Sequence, residues 1–229
     1  MNIKTLTQLM TAISGTSCLL LGTVDAKAAS IYLNNTNITV EVGPGTSPGT
    51  FNNTFANGNT IEKVIDAPSA DAAEFHNQTT HIWFTASSVG GGLELLFDFG
   101  QEYDLTTLHF WNFTGENFDV DNIDFTFLNS DNTQVGQLSV TPALGSSGGI
   151  LAEDIPLAAP LNVQFVTAFL SGTNRQVDFQ NLGFTGEISE PRSVPESSNI
   201  LGLIFVAGVS VFTGIKCQKK EEIKTEQET

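Results

Sequence analysis

Leu93, Leu95, Phe97 and Phe99 alternate with Glu94, Leu96 and Asp98. A two-residue period lines up one apolar face only in an extended strand. The period recurs at Ile123, Phe125 and Phe127 against Asp124 and Thr126, and at Val163, Phe165, Thr167 and Phe169 against Gln164, Val166, Ala168 and Leu170. Between residues 105 and 113, Leu108 and Phe110 fall on one side and Thr107, His109, Trp111 and Phe113 on the other, so both faces should be partly covered. Residues 135–140 and 177–184 add two further strands, the first joined to 123–127 by the turn Asn129-Ser130-Asp131-Asn132 as a hairpin. Shorter candidates lie at 31–33, 38–42, 61–65 and 81–86. Runs of helical period are absent from this region. Roughly eight to ten short strands separated by turn residues predict an all-β fold, a jelly-roll-type antiparallel β-sandwich.

Fifteen of the 17 phenylalanines lie between residues 30 and 193, enough aromatic mass for one core. Neither cysteine does, since Cys18 and Cys217 stand near the two ends, so no disulfide staples this domain. A domain of about 160 residues does not need one, because it buries roughly two-thirds of its unfolded surface. The region carries nineteen Asp and Glu against Lys63, Arg175 and Arg192, and the whole chain has a formal charge of −16. Such a surface repels phosphate backbones, which excludes nucleic acid as a partner. His76, His81 and His109 lack metalloprotease spacing, no serine occupies a nucleophile-elbow pattern, and no Gly-rich loop leads into a lysine. The expectation is a protein that binds without catalysis. Glycoside hydrolysis stays open only through two of the carboxylates meeting in space.

The ends carry different signals. Residues 1–29 combine Lys4, an apolar stretch at 9–24 and Ala26-Lys27-Ala28, where the small residues Ala26 and Ala28 fit signal peptidase cleavage; a retained anchor is the alternative. Residues 200–215 (ILGLIFVAGVSVFTGI) carry no charge and are expected to form one transmembrane helix, about 24 Å long at ~1.5 Å per residue. Lys216, Lys219 and Lys220 mark its cytoplasmic side, so 216–229 is a basic then acidic cytoplasmic tail and the sandwich lies outside the cell membrane. Residues 30–187 are the ectodomain, and 188–199, rich in Glu, Ser and Pro, are a tether.

Val194-Pro195-Glu196-Ser197, followed by a short apolar helix and a basic cluster, resembles the PEP-CTERM sorting signal of bacteria that secrete exopolysaccharide, cyanobacteria among them. Ser197 stands where that family has a second proline. The resemblance implies an exosortase-type processing enzyme that cuts at the motif and releases the domain to the cell surface or extracellular matrix; an ordinary anchor left intact is the alternative. Residues 61–186 resemble a second family, the discoidin-like, galactose-binding-type sandwich of many carbohydrate-binding modules. The features are Val64-Ile65-Asp66, Trp83, LELLFDFG at 93–100, Tyr103-Asp104-Leu105, Trp111-Asn112, VQFV at 163–166 and Asn181-Leu182-Gly183-Phe184. That resemblance implies a structural Ca²⁺ held by the loop carrying Asp66 and closed from the position of Asn181.

Sugar recognition needs aromatic faces and a few polar groups that orient hydroxyls. The candidates are His76, His81, Trp111, Asn112 and Arg175, with Trp83 beside them. Trp83 and Trp111 fit a core role as well. Arg175 can serve a ligand carboxylate or pair with Asp178. The run Asp119 to Asp124 puts Ile123 at what would be a calcium-ligand position, so it reads as a solvated strand entry. The expected function is that of an exported, C-terminally sorted or anchored surface protein whose sandwich binds polysaccharide or envelope material. The alternatives are a ligand-free structural surface protein and a glycoside-acting enzyme.

Overall fold

The computed structural model describes residues 29–51, 61–76 and 82–189. The expected signal peptide, with Ala26 and Ala28, lies outside the described residues, as do the motif Val194-Pro195-Glu196-Ser197, the helix at 200–215 and the tail. Among the described residues no helix is long and apolar enough to cross a membrane.

Among the described residues nine strands follow in order: β1 (Ile31–Leu33), β2 (Thr39–Val42), β3 (Gly49–Phe51), β4 (Ile82–Ala86), β5 (Gly92–Asn112), β6 (Asn122–Leu128), β7 (Gln134–Val140), β8 (Glu153–Ser171) and β9 (Gln176–Ile188). Every pairing is antiparallel. Residues 61–65, expected as a strand, form a 3₁₀ turn instead. Val64 and Ile65 are both buried, and consecutive buried side chains suit a turn tucked under a cover better than an alternating strand.

The two long strands build the sandwich by passing through both layers. The first half of β5 pairs with β2 and with the C-terminal half of β8; past the irregularity between Asp98 and Tyr103, its second half pairs with β9 and the N-terminal half of β8. One layer therefore runs β2-β5-β8-β6-β7 and the other β8-β5-β9-β4-β3, with β1 on the far part of β9. Gly100 sits in the bend with φ 68°, a conformation that costs a side-chain-bearing residue, and its N–H donates to Asp98 Oδ1 at 2.7 Å.

Phe97 of the first layer meets Phe184 of the second edge-on at 5.2 Å, and Phe99 meets the same ring at 5.0 Å. Such pairs contribute about 0.5–1.5 kcal/mol each beyond the area they bury. Phe110 packs on Phe179 at 5.5 Å in the same core. Trp111, one residue out of phase with Phe110, falls on the opposite face of β5. There it forms a second apolar cluster with Ala67 and Ile150.

Candidate functional site

The last two residues of β5 organise one end of the sandwich. Trp111 is fully buried, and its Nε1–H donates to the carbonyl of Ala72 at 2.8 Å, fixing the segment 66–76. Asn112, 2% exposed, accepts at Oδ1 from the N–H groups of Phe113 (2.9 Å) and Val120 (3.0 Å). Its Nδ2 donates to the carbonyls of Val120 (3.0 Å) and Ala143 (3.1 Å). All four of its hydrogen-bonding positions are taken by main chain. Both residues thus hold loops in place, and Asn112 keeps no polar valence for a ligand.

The loops they hold carry the exposed groups. Phe75 is 67% exposed and Phe118 43% exposed, in segments 66–76 and 113–121. The His76 ring lies 4.7 Å from that of Phe113, and Phe113 lies 6.3 Å from Phe118. Burial holds the His76 imidazole below its usual pKa, so the ring is neutral at neutral pH. Beside Phe118, Asn174 Nδ2 donates to Asn117 Oδ1 at 3.4 Å, joining the loop at 171–175 to the same ridge. The N–H of Thr173 donates to Asp121 Oδ2 and ties the two loops at their base. Arg175 is exposed in a left-handed conformation (φ 69°) and donates from Nη1 to Ser87 O at 3.2 Å, not to Asp178. His81 lies outside the described residues.

Ring and amide contacts thus join His76, Phe113, Phe118, Asn117 and Asn174 from three loops, and Phe75 is exposed beside His76 in the chain. Periodicity could not find Phe75 and Phe118, which lie in loops. The available signal was an isolated phenylalanine flanked by polar residues, as in Glu74-Phe75-His76 and Asn117-Phe118-Asp119.

Asp119 corrects the expectation of a solvated strand entry. It is only 6% exposed, and its Oδ1 has no hydrogen-bond partner. Burial, and then the nearby Asp121 and Glu116, push its carboxyl up to about 6. On β9, Asp178 pairs across from the half-buried Trp83 of β4, and burial pushes its carboxyl up to about 8. A groove of about 310 Å³ crosses the other layer, lined by Thr39, Glu41, Leu96, Asp98 and Phe165 among others, and holds none of the sequence candidates.

The expected calcium ligands do come together, in an arrangement made for each other. Asp66 Oδ1 accepts from Asn181 Nδ2 at 2.9 Å and Oδ2 pairs with Lys63 Nζ at 2.6 Å. Asn181 Oδ1 accepts from the N–H of Ala67 at 3.2 Å. Calcium needs six to eight oxygens turned inward, whereas here an amide N–H and an ammonium face the carboxylate. The residues as arranged do not fit the ion. Among the described residues, no three His, Cys, Asp or Glu side chains gather as a metal site.

No known protein family matches the sequence, and no curated protein does. Solved structures do match. An F5/8 type C domain from Bacteroides fragilis superposes with a TM-score of 0.50 at 8% identity, covering 70% of this chain and 98% of that domain. The family 32 carbohydrate-binding module of Clostridium perfringens NanJ, solved with galactose, gives 0.42 at 11% identity, covering 69% and 99%. The C-terminal domain of a Bacteroides fragilis chitobiase gives 0.46 at 11%, covering 70% and 100%. The likeness to the F5/8 type C domain, taken with the strand order above, shows that the chain has the fold of that domain, an antiparallel β-sandwich.

Proposed function

We propose that this protein is exported, sorted or anchored through its C-terminal segment, and binds polysaccharide outside the cell through the loop ridge, without catalysis. The observation that carries the reading is the ridge itself. Phe75 and Phe118 expose aromatic surface in loops clamped from beneath by Trp111 and Asn112, with the amides of Asn117 and Asn174 alongside. An aromatic face covers the apolar side of a pyranose, and adjacent amides serve its hydroxyls in either direction. A formal charge of −16 favours uncharged glycans over anionic ones.

The test is mobility of the purified full-length protein in native gels containing neutral polysaccharides, with an anionic polysaccharide as contrast. Retardation by a neutral glycan is expected, and unchanged mobility across the whole panel would count against binding. The intact mass of the protein from cells and from medium tests the rest. A start near Ser30 supports export, and an end at Pro195 or Glu196 supports sorting. An end at Thr229 supports a stable anchor.

A further inference from the structure

We propose that Lys63 is a built-in cation. Its ammonium, in place of a bound divalent ion, holds the Asp66 carboxylate within the turn at 61–67, which Asn181 joins to β9, and the sandwich keeps its fold without calcium.

The carbonyls of Lys63, Ile65 and Ala67 and both carboxylate oxygens of Asp66 point at nitrogen donors. The carbonyl of Lys63 accepts from Asn181 Nδ2 (3.3 Å), that of Ile65 from the N–H of Asn35 (2.8 Å), and that of Ala67 from Asn34 Nδ2 (2.9 Å). The Asp66 carboxylate takes Asn181 Nδ2 on one oxygen and Lys63 Nζ on the other. A cation site of the same residues would need these oxygens free and converging, and each already has an N–H donor.

Asn181 is fully buried opposite Trp111, so its amide has few alternatives. Turning it over would set its oxygen against the Asp66 carboxylate and the Lys63 carbonyl, and its N–H group against that of Ala67. Only a metal ion could compensate those repulsions. Amide orientation and choice of cation are therefore one decision, and Lys63 settles it.

The charge balance agrees. Burial first, and then the Asp66 charge, raise the pKa of Glu74, which Lys63 lowers, so a single ammonium serves two carboxylates; burial, Glu74 and Asp66 in that order raise that of Tyr32. The hydrogen bond and charge of Asp66 in turn raise Lys63 above its ordinary value and keep it charged.

The experiment is thermal unfolding of the full-length protein in EDTA and in millimolar CaCl₂. The wild type is expected to melt at the same temperature in both, and a rise of several degrees with calcium would overturn the proposal. Lys63→Met is expected to lower Tm in both buffers by about 2–4 °C, the size of shift that loss of a partly exposed ion pair gives in a domain of this length. Lys63→Arg should keep most of the difference. A Lys63→Met protein that melts with the wild type in both buffers also overturns the proposal, because the ammonium would then be idle. Lys63→Met/Asn181→Glu, which trades the ammonium and amide for a second carboxylate, is expected to gain a calcium-dependent Tm. If Lys63→Met does not fold, the wild-type comparison alone decides.

Discussion

Asn112 and Val120 are joined by two hydrogen bonds of 3.0 Å, the amide oxygen accepting from the Val120 N–H and the amide nitrogen donating to its carbonyl. A side chain thus pairs with main chain as a neighbouring strand would, and it closes residues 113–119 into a loop that presents Phe118. Asn112→Ala leaves the N–H groups of Phe113 and Val120 and the carbonyls of Val120 and Ala143 without this partner. At about 1 kcal/mol for each lost bond, urea unfolding should show a loss of about 2–4 kcal/mol. Glycan retardation should fall with it, because the ridge loses its base. A loss under about 1 kcal/mol would mean that water replaces the clamp at little cost.

The exposed ridge should behave in the opposite way. Phe75→Ala removes a side chain mostly in water and should leave stability within about 0.5 kcal/mol, whereas Phe118→Ala also gives up a ring contact with Phe113 and should cost about 0.5–1.5 kcal/mol. Each should weaken retention by a neutral polysaccharide by about tenfold, equivalent to roughly 1.4 kcal/mol. Affinity electrophoresis of both variants beside the wild type measures this. Full retention by the double variant would move the binding surface elsewhere.

Trp111 makes the segment 66–76 depend on β5. Trp111→Phe removes the donor to Ala72 O and part of a fully buried ring, at an expected cost of about 1–3 kcal/mol. Cleavage within 66–76 under limited proteolysis should increase. Fluorescence supplies a second reading: Trp83, the tryptophan that remains, is half-buried, so emission should shift to the red.

The first layer was legible at β5 because burial there obeys the two-residue period: Leu93, Leu95, Phe97 and Phe99 are buried, while Glu94, Leu96 and Asp98 are less so. In β8, by contrast, the buried phase shifts after Val163 to Val166, Ala168 and Leu170, leaving Phe165 and Phe169 partly exposed. The period does not report strand length. Tyr103 and Leu105 continue the same strand as Asp98, because a bend re-aims the chain without ending its pairing. β8 likewise begins at Glu153 rather than near Val163. Pro156 and Pro160 argue against a central strand, but this half of β8 pairs with β5 alone among the described strands, and an edge tolerates a missing N–H. Site chemistry was harder to read. Asn112 and Trp111 were visible as polar or aromatic groups at a strand end, yet their hydrogen bonds to Val120 and Ala72 come from loops with no pattern of their own. Asp119 looked solvated because acidic neighbours surround it in sequence, whereas the loops at 113–121 and 171–175 close over it.

That burial makes stability fall as pH rises. The carboxyls of Asp119 and Asp178 stand at about 6 and about 8 in the fold, against an ordinary value of 3.8. Between 3.8 and each raised value the native protein binds more protons than the unfolded chain, so unfolding free energy decreases with pH across that window. The Asp119 contribution is lost between about pH 4 and 6, and the Asp178 contribution continues to be lost up to about pH 8. Urea midpoints should therefore decline from pH 5 to pH 8 and level off above. Asp178→Asn, uncharged at every pH, should flatten the decline between pH 6 and 8 and be more stable than wild type at pH 8. Asp119→Asn should remove only the part below pH 6. A wild-type midpoint that stays constant from pH 6 to 8 would show that Asp178 ionises at an ordinary pH, with a neighbour sharing its charge.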